Sequence, residues 1–303
     1  MANALFTLST DSTADLLPGF AEANEIALVP LTFNVEKNGD FSQYKDEFQN
    51  EEEYIAFYQN LRNGAFSRTA MLNLQDHLDH FRSMAQAGAK DVLHFTISYG
   101  LSHTVDVANQ AAAIVKEEYP EFTVYAMESC SATVGQGALV KLALKMRNEG
   151  KTAKEAFDIL SETKYRLQHF IVADDLFYLK RGGRVSGTKA VVGTLLNVKP
   201  FITIDGNGKL KVEGSFRGMK KAFSHIMEEI DRLGVGEENM IVVVHTDAKE
   251  KAEELANRIL EKTGITPEIQ IMGPVIGSHV GPGAVACGMV SKTARVPYQV
   301  TEE

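Results

Sequence analysis

Three short apolar runs in the first half of the chain each stop at a hydroxyl-rich stretch that hands over to a helical pattern. Leu5-Phe6-Thr7-Leu8 leads into Ser9-Thr10-Asp11-Ser12-Thr13. Asp91-Val-Leu-His-Phe-Thr-Ile-Ser98 leads into Tyr99-Gly-Leu-Ser102, and Phe122 to Met127 leads into Glu128-Ser-Cys-Ser-Ala-Thr133. A strand that repeatedly returns through a helix needs a crossover, and crossovers join parallel strands. The order therefore predicts an α/β fold whose N-terminal sheet is mostly parallel and flanked by helices.

Helical spacing of apolar residues recurs at Tyr54, Phe57, Tyr58 and Leu61, and again at Leu74, Leu78, Phe81 and Met84, the latter behind a cap at Asn73. Further helices are expected over Ser102 to Glu118, Val134 to Arg147 and Ala153 to Leu167. Ile26 to Val35 reads as one extended stretch bent near Pro30, with a turn at Asn38-Gly39.

The pattern changes near Phe170. Val198 to Ile204 and Leu210 to Phe216 flank Asp205-Gly-Asn-Gly208, a hairpin signal. A helix (Lys220 to Leu233), a strand (Met240 to Val244), a helix (Ala248 to Leu260) and a strand (Glu268 to Met272) follow. At 303 residues the chain has room for two domains. The expected division is an α/β domain over 1–170 and an α+β domain with a mixed or antiparallel sheet over 171–303.

In a doubly wound sheet, ligands bind outside the carboxyl ends of the strands. The three hydroxyl-rich loops fall there, beside helix N-termini that offer free N–H donors, so a small anionic head group is the ligand class they suit. Each loop taken singly reads first as an ordinary helix cap, and it is the three at one edge that raise a binding crevice to an even alternative. Gly100 would let backbone come close to a ligand beside Ser98, or simply make a tight turn. Asp76, His77, Asp79 and His80 read as the solvated face of an amphipathic helix rather than a metal cluster.

Asp175 to Lys189 concentrates cations and glycines, with Leu176 to Lys180 as a helical turn and Gly182 near its end. Gly182 and Gly187 have Walker A spacing, but Thr188-Lys189 reverses the required order, which argues against ATP binding there. An anion-handling or docking loop remains, against a plain basic turn closing a helix. Gly277-Ser-His-Val-Gly-Pro-Gly283 is a second Gly-rich loop, whose His279 can pair with phosphate or a carboxylate.

The formal charge of −9 argues against a general nucleic-acid surface. No apolar run reaches spanning length, so no stable membrane insertion is expected. The N-terminal residues lack a basic and apolar leader pattern, and Cys130 and Cys287 lack metal spacing, so a cytoplasmic protein with two reduced thiols and no cofactor is expected.

These segments together resemble the DegV family, the fatty-acid-binding proteins that serve bacterial fatty acid kinase. The resemblance rests on Asp11-Ser-Thr-Ala-Asp15, Val29-Pro-Leu31, Ile97-Ser-Tyr-Gly-Leu-Ser-His-Thr104, Ser131-Ala-Thr-Val-Gly-Gln-Gly137, Tyr178-Leu-Lys-Arg-Gly-Gly-Arg-Val185, Leu195-Leu-Asn-Val-Lys-Pro200, Arg217-Gly-Met-Lys-Lys-Ala222 and Ile276-Gly-Ser-His-Val-Gly-Pro-Gly283, in that order. It implies two domains with a long-chain fatty acid buried between them. It also implies that the chain is a carrier rather than an enzyme, handing the carboxylate to a separate ATP-dependent fatty acid kinase that forms an acyl phosphate for phospholipid synthesis.

Carried over residue by residue, Thr69 and Ser98 would hold the carboxylate, with Ser102 as a third donor. Arg184 and His279 would serve the phosphorylated head group or the kinase contact. Ala70, Met71 and Leu72 stand where the family has Ser, Gln and Pro, and Tyr99 replaces a second Ser. The competing expectation is a small-molecule phosphotransferase using Arg184, Lys189 and His279 on a phosphate.

Overall fold

The computed structural model describes residues 5–174, 176–185 and 197–296. Asp175 and the Gly187, Thr188 and Lys189 end of the basic loop lie outside the described residues, as do Leu195 and Leu196. The first part of the chain runs β1 (Thr7–Asp11), α1 (Phe20–Ala23), β2 (Ile26–Val29), β3 (Thr32–Lys37), β4 (Asp40–Lys45), α2 (Glu51–Arg62), β5 (Phe66–Ala70), α3 (Leu74–Gln86), β6 (Asp91–Thr96), α4 (Thr104–Glu118), β7 (Thr123–Glu128), α5 (Val134–Asn148) and α6 (Ala153–Thr163). The second part runs β8 (Leu167–Val172), α7 (Phe177–Arg181), β9 (Val198–Ile204), β10 (Leu210–Arg217), α8 (Met219–Leu233), β11 (Ile241–His245), α9 (Lys249–Thr263), β12 (Glu268–Ile271), α10 (Pro274–Val280) and β13 (Val285–Val290).

The expected parallel sheet is present, as four strands in the order β2-β1-β6-β7. The C-terminal part holds a mixed six-stranded sheet, β10-β9-β8-β13-β11-β12, antiparallel except for β11 with β12. The expected boundary at 170/171 falls inside β8. Residues up to Leu167 were expected to be helical, but α6 ends at Thr163 and Leu167 already pairs with Val290. Leu167 to Val172 is buried at every position. A run of this kind carries no alternation, so its helix–strand border cannot be placed by period.

A third sheet, β4-β3-β5, is antiparallel and was not anticipated. The stretch from Ile26 to Val35 divides at Pro30-Leu31, with β2 in the parallel sheet and β3 in this one. Every residue of β4 is exposed, so it lacks an apolar alternation to betray it. β5 carries Thr69 on its way into α3.

Helix starts are well specified. Reciprocal capping boxes form at Asn50 with Glu53, Asn73 with Asp76 and Thr152 with Glu155. On α3, Asp76 and Asp79 are exposed as expected, but His77 is fully buried and His80 half-buried. His77 shares the inward face with Leu74, Leu78 and Phe81, because positions three and four apart stack on one side of a helix. The ring of His94 on β6 packs against both, and Ser9 Oγ bonds His80 Nε2 at 2.7 Å and His94 Nδ1 at 2.8 Å. Burial lowers all three, His77 and His80 to about 4 and His94 well below the usual range, so the cluster is neutral at pH 7.

The six-stranded sheet sorts its side chains by period two. Phe170, Val172, Val243, Val285 and Cys287 pack on one face beneath α8 and α9. Ile171, Ile202, Val244 and Ala286 point to the other face. That second face looks toward the N-terminal part of the molecule, and it frames the candidate site.

Candidate functional site

Asp11 organises the carboxyl ends of the parallel strands. Its fully buried carboxylate accepts from Thr13 N–H (3.0 Å), Thr13 Oγ1 (2.5 Å), Gln136 Nε2 (2.8 Å) and Ile97 N–H (3.1 Å). One side chain thus ties the end of β1 to the end of β6 and to the first turn of α5. Burial raises its pKa, and the four donors pull the other way. The backbone of the three loops is sewn together as well, with Ser98 N–H on the Ser131 carbonyl at 2.7 Å and Ser129 N–H on the Thr96 carbonyl at 3.1 Å.

Two further acids stand where this unit meets the C-terminal part. Asp15 and Asp46 both approach Gly273, where a Cβ would lie 2.3 Å from Asp15 Oδ1 and 3.4 Å from Asp46 Oδ1. Burial, then the charge of Asp46, pushes Asp15 well up, and burial pushes Asp46 up to about 7. A carboxyl whose folded pKa lies above its unfolded value stabilises most when protonated. That contribution is fully present below about pH 4 and is lost as pH rises to about 7. Asp46→Asn is therefore expected to raise the melting temperature at pH 8, by about 2 °C or more, and to lose this advantage as pH falls toward 4. Thermal melts of both proteins across that range check it.

Between the strand-end loops and the second face of the six-stranded sheet lies a cavity of ≈ 340 Å³. Its inner wall is apolar, built from residues such as Ile171, Leu179, Val244, Val275, Val280 and Ala286. The β9–β10 hairpin adds Ile204 and Leu210. The cavity's polar lining includes Thr69, Arg184 and His279, which lie side by side, and also Thr13, Ser102, His103, Thr133 and His169.

Thr69 sits on β5 opposite Phe33, and its Oγ1 lies 2.8 Å from His279 Nε2 on α10. Ser67 Oγ and Ser278 Oγ, 2.7 Å apart, make the neighbouring link between the same two elements. His279 is mostly buried, and burial, with Arg184 and Arg181 nearby, lowers its pKa to about 4, so the ring is neutral at pH 7. With its proton on Nε2, the ring donates to Thr69 and leaves the threonine hydroxyl free to donate to a ligand.

The structure brings Thr69, Arg184 and His279 together, and Ser102 also lines the cavity. It does not bring Ser98 there. Ser98 is fully buried, and its Oγ donates to the Gly208 carbonyl at 2.8 Å in the β9–β10 turn. Gly100, expected to admit a ligand, admits this turn instead: a Cβ there would stand 2.6 Å from the Gly208 oxygen. Gly208 itself, at φ 72°, has no room for a Cβ beside Ser98 Oγ. The remaining wall of the site, from β11, β13 and α10, carried no sequence signal beyond apolar character. His169, bonded through Nε2 to Ser131 Oγ at 2.7 Å and lining the cavity, was not anticipated either.

A DegV family model matches residues 6–292. A DegV domain-containing protein of Clostridium perfringens is 32% identical over 95% of this chain and 98% of its own length. Two solved structures share the fold closely. One, described as a DegV lipid binding protein from Thermotoga maritima, has a TM-score of 0.82 at 27% identity and covers 96% of this chain and 99% of its own. The other, a DegV family protein from Thermus thermophilus described for its fatty acid binding, has a TM-score of 0.80 at 29% identity and covers 94% and 99%.

Proposed function

Because the chain belongs to the DegV family, we propose that it is a carrier that buries a long-chain fatty acid in the cavity and presents the carboxylate to a separate ATP-dependent fatty acid kinase. The observation that carries this reading is the cavity's lining, mostly apolar, with the Thr69 hydroxyl, the His279 imidazole and the Arg184 guanidinium side by side at its border. Its volume of ≈ 340 Å³ falls within the ~300–1,000 Å³ of ordinary small-molecule sites. Each methylene transferred from water to such a wall gains about 0.8 kcal/mol, so an aliphatic chain supplies the affinity and the polar groups at the border fix the direction. The fatty acid binding described for the Thermus thermophilus relative supports the same reading.

Beside His279, the Thr69 hydroxyl donates to the carboxylate, neutral His279 orients that hydroxyl, and Ser102 is a further donor among the lining residues. Arg184 is exposed, with Nη1 on the Gly182 carbonyl at 2.5 Å, and supplies a cation at the rim where the kinase approaches. Ser98, which the family resemblance places on the carboxylate, acts in this reading by holding the β9–β10 turn that carries Ile204 and Leu210. The chain itself performs no chemistry. A small-molecule phosphotransferase using Arg184, Lys189 and His279 on a phosphate is the weaker reading, because His279 Nε2 is engaged by Thr69 and its Nδ1 is buried against Gly182.

Thr69→Val tests the site. Removing a donor to a charged group costs about 1.5–3 kcal/mol, which is roughly 10- to 150-fold in affinity. Fluorescence displacement titrations with a long-chain fatty acid should show that loss in a protein that still melts cooperatively, with a modest fall in stability from the His279 Nε2–H left without its acceptor. Equal affinity in the variant would take Thr69 out of the site.

A further inference from the structure

Asp15 follows the turn that ends β1, Asp46 lies between β4 and α2, and Gly273 immediately precedes α10, so three distant stretches of chain meet at one pair of acids. Each carboxyl spends one oxygen on protein donors. Asp15 accepts from the Gly273 N–H and the Thr133 hydroxyl, and Asp46 accepts from the Ser12 hydroxyl. The remaining oxygen, Oδ2 of each, is buried with no hydrogen-bond partner among the described residues. Asp46 as a whole is only 7% exposed.

The pair has no counter-charge. Among the described residues, no lysine, arginine or histidine forms an ion pair with Asp15, Asp46 or the neighbouring Asp11. Buried like charges are costly unless something neutralises them. A proton on one Oδ2 would remove a charge, but it would need an acceptor, and neither carboxyl hydrogen-bonds the other. A small cavity offers the alternative. It measures ≈ 80 Å³, adjoins both acids and is lined also by Ser12, Phe48 and Tyr54, with exposed Glu47 and Gln49 at its rim. A buried water needs about 10–15 Å³, so the space admits an ion with part of its hydration shell.

We propose that Asp15 and Asp46 form a binding site for a hydrated divalent cation of the magnesium class. Oxygen is the only donor element that the two acids, Ser12 and Tyr54 offer there, and oxygen sets select hard cations. Two carboxylates match the charge of one divalent ion. Calcium takes about 6–8 oxygen ligands, whereas magnesium is commonly held by one or two carboxylates and keeps several waters. Among the described residues no three His, Cys, Asp or Glu side chains converge as metal ligands, so waters complete the shell. The ion joins the end of β1 to the β4–α2 connection and, through Asp15 and Gly273, to α10, which carries His279. It thus braces one wall of the apolar cavity from outside, and the site stands independently of the fatty-acid reading.

Electron paramagnetic resonance of Mn²⁺, an octahedral stand-in for Mg²⁺, tests the site on the full chain freed of metal by chelation. The expected result is about one Mn²⁺ bound per chain and displaced by Mg²⁺. Asp15→Asn and Asp46→Asn, which keep the side-chain size and remove the charge, should each weaken this binding by about tenfold or more. Mg²⁺ should also raise the melting temperature of the wild type and leave that of both variants unchanged. The gain in stability expected for Asp46→Asn at pH 8 belongs to the metal-free protein. No Mn²⁺ bound by the wild type, failure of Mg²⁺ to displace it, or equal binding by the wild type and both variants would overturn the proposal. Asp46→Asn relieves buried charge at pH 8, so it carries the test even if Asp15→Asn fails to fold.

Discussion

Ala286→Phe is expected to abolish tight fatty acid binding without unfolding the protein. Ala286 lies on β13 between Val244 and Ile171, and all three line the cavity. A phenyl group there would occupy space that the acyl chain needs. Displacing about four methylenes forfeits about 3 kcal/mol, roughly two-hundredfold in affinity. Overpacking a filled core usually costs about 1–3 kcal/mol, but here the new ring has a cavity to enter and the stability change should be smaller. Titration with palmitate and a urea melt on the same sample separate the two effects. Wild-type affinity in this variant would mean that the chain binds elsewhere.

The largest loss of stability is expected for Asp11→Ala. Its carboxylate is the common acceptor for Thr13, Gln136 and Ile97, and removal strands these donors in a site with no water access. An unsatisfied buried donor costs about 1–3 kcal/mol, and allowing for relaxation the total should be about 3–5 kcal/mol. Asp11→Asn keeps one carbonyl oxygen and should recover part of the loss. Urea denaturation of the three proteins checks this, and a loss under 1 kcal/mol for the alanine variant would mean that the strand-end loops do not depend on Asp11. Fatty acid affinity should fall as well, because Thr13 and Thr133 of these loops line the cavity.

The parts of the fold legible in the sequence are those that bury one kind of surface. β1, β6 and β7 announce themselves as short apolar runs, and α8 and α9 by apolar residues three and four apart. β4 is invisible because all its residues face solvent, and with it goes the sheet that places Thr69. His77 was read as solvated because histidine is a polar type, although its position in the helical period matched the buried face.

The candidate site was legible in its polar residues and not in its walls. Thr69 and His279 are 210 residues apart, and only the packing of β5 on α10 joins them. Ser98 shows the converse. Its loop carries the expected motif, but its hydroxyl is satisfied by Gly208, 110 residues away, across a turn whose own signal spoke only for a hairpin. Local pattern records which atoms can donate. It does not record which distant carbonyl will be present to accept.

Organic extraction of the purified protein, followed by mass spectrometry, bears most directly on the claim that an aliphatic chain fills the space between the two sheets. The expected result is about one long-chain fatty acid per protein molecule, displaced in Ala286→Phe. Recovery of no acyl chain, from protein as purified and from protein incubated with palmitate, would contradict it.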